Sequence, residues 1–141
     1  MVIGEGSDEK RLRGLARGAK NITFRGYQAD GVVAEYYQNC KAFIFPGEED
    51  FGMTMVEAML CGKPVLALRR GGAKEIVIEG VTGEFFDDTH PVVLADGLRR
   101  LLGNCKNYSP TVIAKRAEKF SRDRFEKETL AFIEKHRTIE R

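Results

Sequence analysis

The stretch Cys61-Gly62-Lys63-Pro64-Val65-Leu66-Ala67-Leu68-Arg69-Arg70-Gly71-Gly72 decides the fold class. Gly62 ends the apolar helix that the spacing predicts over Thr54–Cys61, and Pro64 keeps that helix from resuming. Val65–Leu68 is then apolar at four consecutive positions instead of alternating, as expected of a strand covered on both faces. Gly71-Gly72 closes the strand, and a short helix is predicted over Lys74–Ile78. Helix, fully buried strand, helix is the repeating element of a parallel sheet.

The same alternation extends in both directions. Upstream, Met1–Ile3 reads as the end of a strand, followed by a helix capped by Ser7 with Leu12, Leu15, Ala16 and Ala19 on one face. Ile22–Phe24 reads as a second strand, Val32–Gln38 as a short helix, and Ala42–Phe45 as a strand broken by Pro46-Gly47. Downstream, Gly83–Phe86 is the last predicted strand. Pro91–Leu102 is a helix presenting Leu94, Leu98 and Leu101, with Gly103 past its end and His90 as its entry residue. Ser109-Pro110 opens another helix, and Ser121 opens the last, to about His136. The expected fold is α/β: a Rossmann-like, doubly wound parallel sheet with helices on both faces.

Composition bounds the function. The 141 residues suffice for one domain, with 43% hydrophobic and 31% charged residues. A net charge of +2, with scattered basic residues, argues against nucleic acid as partner. No apolar run approaches the ~18 residues of a membrane span, and Met1–Gly4 does not resemble a secretory signal. Cys40, Cys61 and Cys105 are odd in number and widely spaced, which favours small buried thiols in a reducing, cytoplasmic compartment.

Ligands of parallel α/β sheets bind where strand ends run into helix N-termini, whose free N–H groups and dipole suit phosphates. Two loops qualify. Gly4-Glu5-Gly6-Ser7-Asp8-Glu9 has Glu9 where a dinucleotide fingerprint needs its third glycine, and its acids oppose a pyrophosphate, so a tight turn is the better reading. The second loop runs Phe45-Pro46-Gly47-Glu48-Glu49-Asp50-Phe51-Gly52-Met53-Thr54. Gly52 permits close backbone approach, and Gly52, Met53 and Thr54 present N–H groups as a helix begins. Glu57 is the single charge between Met53 and Gly62. A carboxylate in so apolar a helix is either exposed at an edge or bonded to something specific, and the vicinal hydroxyls of a ribose would suit it. Glu49, eight residues earlier, taken alone is a surface acid in an acidic loop. His90 and His136 stand apart from this loop, and no metal-ligand set is visible.

Around this loop the sequence resembles the donor-binding, C-terminal domain of retaining glycosyltransferases of the glycosyl transferases group 1 family, which have the GT-B fold. The resemblance rests on an E-x7-E motif met by Glu49 and Glu57, with Phe51-Gly52, Glu57-Ala58-Met59, Cys61-Gly62-Lys63-Pro64-Val65, Gly71-Gly72-Ala73-Lys74-Glu75 and Gly80-Val81-Thr82-Gly83 in order. It extends from Val2-Ile3-Gly4-Glu5-Gly6 to Phe120-Ser121-Arg122-Asp123-Arg124-Phe125. It implies transfer of a hexose from a nucleotide diphosphate sugar, with retention, by front-face displacement and without a cofactor or metal. Glu49 would be catalytic, contacting hydroxyls of the transferred sugar. Glu57 would bond the ribose, Phe51, Gly52, Met53 and Thr54 would hold sugar and diphosphate, and Gly26 and Tyr27 would lie beside the base. The Glu48–Gly52 form is most similar to GDP-mannose-dependent mannosyltransferases.

The resemblance further implies a donor domain over residues 1–120 that lacks its first strand and the basic pair that strand's loop supplies. Residues 121–141 would form a helix packing on an absent acceptor domain, through which an acceptor glycan or lipid-linked sugar, and any contact with the inner membrane face, would come. Phe125, Phe132 and Ile133 on that helix are expected to be unpartnered and open to self-association. Arg69 and Arg70 are read as loop cations. The rivals are a non-catalytic or partner-dependent nucleotide-binding module, an NAD-binding domain, which Glu9 opposes, and a structural adaptor, which leaves Glu57 without a reason.

Overall fold

A computed structural model of the protein describes residues 1–137, which divide into two compact units, Met1–Tyr36 and a second beginning at Tyr37. The last four residues of the predicted 121–141 segment lie outside the described part.

The first unit holds helix α1 (Glu9–Leu15) and most of α2 (Asp30–Asn39). The two strands expected at Met1–Ile3 and Ile22–Phe24 reduce to one parallel bridge, Val2 to Phe24. The Val2 and Gly4 N–H groups donate to the Thr23 and Gly26 carbonyls at 2.8 Å, and Arg25 N–H donates to the Val2 carbonyl at 2.9 Å. No residue of this unit is buried, and Leu15, on the face expected to be apolar and covered, is 72% exposed. A segment this short cannot enclose its own apolar side chains, so the hydrophobic pattern has no core to form here. Asp8, not Ser7, stands at the start of α1, its carboxylate paired with Arg11.

The second unit contains a three-stranded parallel sheet in the order β1 (Phe43–Phe45), β2 (Val65–Leu68), β3 (Gly83–Phe86). Phe43 to Phe45 lie opposite Val65 to Ala67, and Val65 to Leu68 opposite Gly83 to Phe86. All four residues of β2 and of β3 are buried. β1 forms one edge, and its Ile44 is 42% exposed, so the expected two-sided burial fails at this strand because one face of it is uncovered.

Helices cover both faces of β2. Leu66 lies against Gly97 of α5 (Pro91–Asn104), whereas Val65 and Ala67 point to the opposite face, where α3 (Met53–Leu60) contacts β1 and β2. Met55, Val56, Ala58 and Met59 are the buried side of α3. The short α4 (Ala73–Ile76) contributes Ala73 and Ile76 to the same core. α6 (Pro110–Ala117) packs on α3, bringing Pro110 against Gly62, while Arg116 hydrogen-bonds the Glu75 carbonyl and, at 3.1 Å, the Ile76 carbonyl at the end of α4. α7 (Arg122–Arg137) buries none of its described residues, and Phe125, Leu130, Phe132 and Ile133 are exposed.

Two side-chain caps in the second unit fall where the sequence indicates. His90 Nδ1 accepts from Val92 N–H, and Ser109 Oγ accepts from Val112 N–H. Gly103 does not end α5, which continues to Asn104 because that side chain donates to Glu84 at 3.3 Å and to the Gly80 carbonyl at 3.4 Å. Glu84 is the buried charge of the domain. Arg100 at 3.0 Å, the Tyr108 hydroxyl at 2.8 Å and Asn104 satisfy it, and burial beside this carboxylate pushes the Tyr108 phenol well up. Cys105 is exposed and Cys40 and Cys61 half-buried, so the reading of all three as buried thiols fails, most clearly for Cys105, which follows the helix end.

Two glycines separate backbone freedom from packing. A Cβ on Gly83 would collide with the Val65 backbone carbonyl across the sheet, whereas one on Gly103 would meet open space. Gly83→Ala is expected to destabilise the domain by about 2–3 kcal/mol or more through strand separation. Gly103→Ala is expected to stabilise it by about 0.5–1 kcal/mol through helix propensity. Urea unfolding of both variants checks the opposite signs.

Candidate functional site

The loop leaving β1 enters α3 through Gly52, whose φ of 71° and ψ of 37° place it in the left-handed region. Gly52 is buried, and a Cβ there would strike Met55 and Ile76, so the residue is fixed both by conformation and by the core beneath it. The Gly52 carbonyl accepts from Met55 N–H at 3.0 Å, while the Met53 and Thr54 N–H groups begin the helix, where no preceding turn offers them a carbonyl. Met53, Thr54 and Glu57 are exposed, and Met53 and Thr54 lie four and three residues before Glu57, so each neighbours it on the outer side of α3. The structure thus brings three of the predicted donor residues onto one surface at a helix start.

Glu57 is exposed, which resolves the two readings of a lone charge in an apolar helix toward an edge position. Tyr37, near the end of α2, lies close enough for its phenol to feel the charge of the Glu57 carboxylate. Partial burial, reinforced by that carboxylate, pushes the Tyr37 phenol up to about 12. The Tyr37 ring meets Phe43 edge-on, with centroids 5.5 Å apart and an interplanar angle of 84°.

Glu49 is exposed in the loop, and its backbone is held more firmly than its side chain. The Glu49 carbonyl accepts from Gly72 N–H at 2.8 Å. Any Cβ on Gly71 would meet the Glu49 carbonyl, and one on Gly72 would meet the Asp50 carbonyl. The paired glycines after β2 therefore form a backbone cradle for the acidic loop, a positioning role that neither a strand end nor a family pattern reveals. Arg70 reaches Glu48 at 3.9 Å at the same place. Arg69 is committed elsewhere, to Glu79 at 2.8 Å and Asp87 at 2.7 Å, and lies over the Phe85 ring.

Phe51 is 72% exposed at the loop tip and, with Met53, lines a cleft of about 830 Å³ that continues to Gly72, Arg116 and Phe125. Neither Glu49 nor Glu57 lines it, so the cleft and the two carboxylates are neighbouring features and not one pocket. Gly26 and Tyr27 belong to the first unit, where Gly26 has a φ of 64° and Tyr27 N–H donates to Glu5 at 3.2 Å. Among the described residues no group of three or more His, Cys, Asp or Glu is arranged to hold a metal ion, and no described helix is long and apolar enough to cross a membrane.

Two outcomes follow from this geometry. Gly72→Ala, allowed by a backbone φ of −62°, is expected to push the Glu49–Asp50 segment away and cost about 1–3 kcal/mol. Thermal unfolding and protease nicking at residues 48–51 check this. Tyr37 has a phenol pKa raised in the fold from 10.0 to about 12, so the fold binds its proton more tightly than the unfolded chain. Its contribution is complete below about pH 10 and is lost as pH rises toward 12. Tyr37→Phe is expected to flatten the alkaline decline in stability, measured by urea unfolding at stepped pH.

Residues 1–120 match the family described as Glycosyl transferases group 1. A phosphatidyl-myo-inositol mannosyltransferase of Mycobacterium leprae is 33% identical over 107 residues, which is 74% of this chain and 28% of that protein. The lipopolysaccharide outer core galactosyltransferase WaaB, in its apo form, superposes with a TM-score of 0.80 at 24% identity, covering 94% of this chain and 40% of WaaB. Anabaena HepE in complex with UDP-glucose superposes with a TM-score of 0.68 at 30% identity, covering 87% of this chain and 35% of HepE. The chain therefore spans well under two thirds of the length of each of these proteins. Its parallel sheet and flanking helices match the C-terminal domain of a GT-B glycosyltransferase. From the ordered motifs around Glu49 and Glu57 to the match over residues 1–120, the chain belongs to the glycosyl transferases group 1 family.

Proposed function

We propose that this chain carries the nucleotide-sugar site of a retaining glycosyltransferase that transfers a hexose to an acceptor hydroxyl. The observation that carries this reading is Glu57. It is the one charged residue of α3, it stands exposed one turn from a helix start entered through a left-handed glycine, and it shares its face with Met53 and Thr54. A carboxylate there accepts hydrogen bonds from both hydroxyls of a ribose, while first-turn N–H groups attract a diphosphate.

In this reading the bond between the anomeric carbon and the diphosphate oxygen breaks as the acceptor oxygen bonds to the same face, and the acceptor proton leaves with the diphosphate. The helix start stabilises charge growing on the leaving group. Glu49, contacting hydroxyls of the transferred sugar, supplies negative charge near the oxocarbenium-like centre. The resemblance assigns Gly26 and Tyr27 to the base and Phe51, Gly52, Met53 and Thr54 to the sugar and diphosphate. The acceptor, a glycan or lipid-linked sugar, belongs to a further domain of such an enzyme, and free thiols with a nucleotide-sugar donor fit a cytoplasmic setting.

GDP-mannose is the favoured donor, supported by the Glu48–Gly52 form and by the mannosyltransferase among the relatives. UDP-glucose is the second reading, supported by the similarity to HepE, whose complex contains it. A partner-dependent nucleotide-binding module is the alternative to a complete catalyst, because the chain spans only 28–40% of the lengths of the proteins it resembles.

Calorimetric titration of the chain with GDP, UDP, ADP, GDP-mannose and NAD tests this. One nucleoside diphosphate is expected to bind in preference, and Glu57→Ala to weaken it at least about tenfold, the scale of a charge-assisted hydrogen bond. Glu49→Ala is expected to remove the advantage of GDP-mannose over GDP while leaving GDP itself unaffected. Preference for NAD, or binding indifferent to Glu57→Ala, would overturn the proposal.

A further inference from the structure

A four-residue helix gains little from its own hydrogen bonds, and its last carbonyls have no partner within the helix. α4, Ala73–Ile76, is such a helix, yet it supports both ends of the segment 49–52. At its start the Gly72 N–H donates to the Glu49 carbonyl at 2.8 Å. At its end the Ile76 side chain stands 3.0 Å from where a Cβ on Gly52 would be. Arg116, on α6, closes this helix. Its guanidinium donates to the Glu75 carbonyl and, at 3.1 Å, to the Ile76 carbonyl. A planar fork of donors serves two neighbouring carbonyls in a way that a single ammonium does not. The fork is mounted on a fixed element. Ile113 and Ala117 of the same helix are buried in the core, and the guanidinium lies over the Phe120 ring, 5.6 Å from its centroid. One line of contacts thus runs from Arg116 through the α4 carbonyls and Gly72 to Glu49.

We propose that Arg116 is a positioning residue for Glu49: by gripping the last carbonyls of α4 it fixes that helix and, through Gly72, the backbone that carries the sugar-contacting carboxylate. The inference rests on the reading of Glu49 as the residue that meets hydroxyls of the transferred sugar. Glu49 is exposed, so the direction of its carboxylate is set by the backbone beneath it. A small displacement of that backbone misplaces the carboxylate against the sugar while leaving the helix start at Met53 and Thr54 free to hold a diphosphate. Arg116 also lines the cleft beside Phe51, so direct contact with a ligand is the competing role. The two differ before any ligand is added, because only a positioning residue alters the empty loop.

The test joins amide hydrogen exchange of the unliganded chain to calorimetric titration with GDP, GDP-mannose, UDP and UDP-glucose, in the wild type, Arg116→Met, Glu49→Ala and the double variant. Arg116→Met keeps the stem and removes the fork. It is expected to speed exchange of the Gly72 amide about tenfold, the scale of a hydrogen bond from a charged donor, while the amides of β2 keep their protection. It is expected to cut the advantage of the preferred nucleotide sugar over its nucleoside diphosphate about tenfold, to leave the diphosphate unchanged, and to add nothing in the Glu49→Ala background. Arg116→Lys, charged but with a single nitrogen, is expected to fall between, and carries the test if Arg116→Met does not fold. Unchanged Gly72 exchange would overturn the inference, and a lost sugar advantage would then mark an arginine that touches the ligand. Equal weakening of nucleotide sugar and diphosphate would mean a merely structural arginine and overturn it. Faster Gly72 exchange with the sugar advantage intact would overturn it while leaving Glu49 as the sugar contact. A sugar advantage that survives Glu49→Ala, or is absent from the wild type, would remove the reading of Glu49 and the inference with it.

Discussion

Burial of β2 on both faces is the constraint from which the rest of the second unit follows. Val65–Leu68 have exposures of at most 2%, and a strand hidden to that degree needs a helix layer above and below as well as neighbours on each side. α5 supplies one layer, approaching closely because Gly97 has no side chain between it and Leu66, and α3 supplies the other. Gly83 lets β3 come flush with Val65. Once these contacts are made, the ends of β1 and β2 lie side by side, and the loops that leave them must share the space above the sheet.

That sharing explains how the acidic loop is held. Gly71 and Gly72 face Glu49 and Asp50 backbone to backbone, and the hydrogen bond from Gly72 N–H to the Glu49 carbonyl closes the contact. The side chains of Glu48, Glu49, Asp50 and Phe51 are therefore presented outward from a backbone held by these contacts. Below it, Gly52 turns the chain into α3 and directs the first free N–H groups and Glu57 to the surface. The buried charge of the unit, Glu84, serves a different end. Arg100, Asn104 and Tyr108 converge on it and fasten the far side of the sheet to the chain around α5.

Much of this was legible in the residues themselves. β2 and β3 occupy Val65–Leu68 and Gly83–Phe86 as the apolar runs indicate, because consecutive burial leaves an unambiguous pattern. His90-Pro91 and Ser109-Pro110 mark helix starts because capping is local chemistry. The differences arise from tertiary context that local composition does not carry. Met1–Ile3, Ile22–Phe24 and Leu15 have the composition of a core but lie in a unit that buries nothing. Gly103 has the composition of a helix end, but Asn104 is drawn into the helix by Glu84. Cys105 has the composition of a small buried residue but lies exposed beyond the same helix.

The residues that the resemblance assigns to a donor, Glu49, Phe51, Gly52, Met53, Thr54 and Glu57, lie within one loop and the helix it opens, and that proximity needs nothing more than chain connectivity. The sequence by itself determined the parallel sheet, the helix that starts at Gly52 and the lone charge on that helix, since each follows from periodicity, glycine conformation or local spacing. Only the tertiary structure decided that Glu57 faces outward, that Tyr37, twenty residues before it, comes near enough to feel its charge, and that Gly71 and Gly72 cradle Glu49. Those are contacts between segments far apart along the chain, fixed by how the sheet brings strand ends together, and no local pattern of residues encodes them.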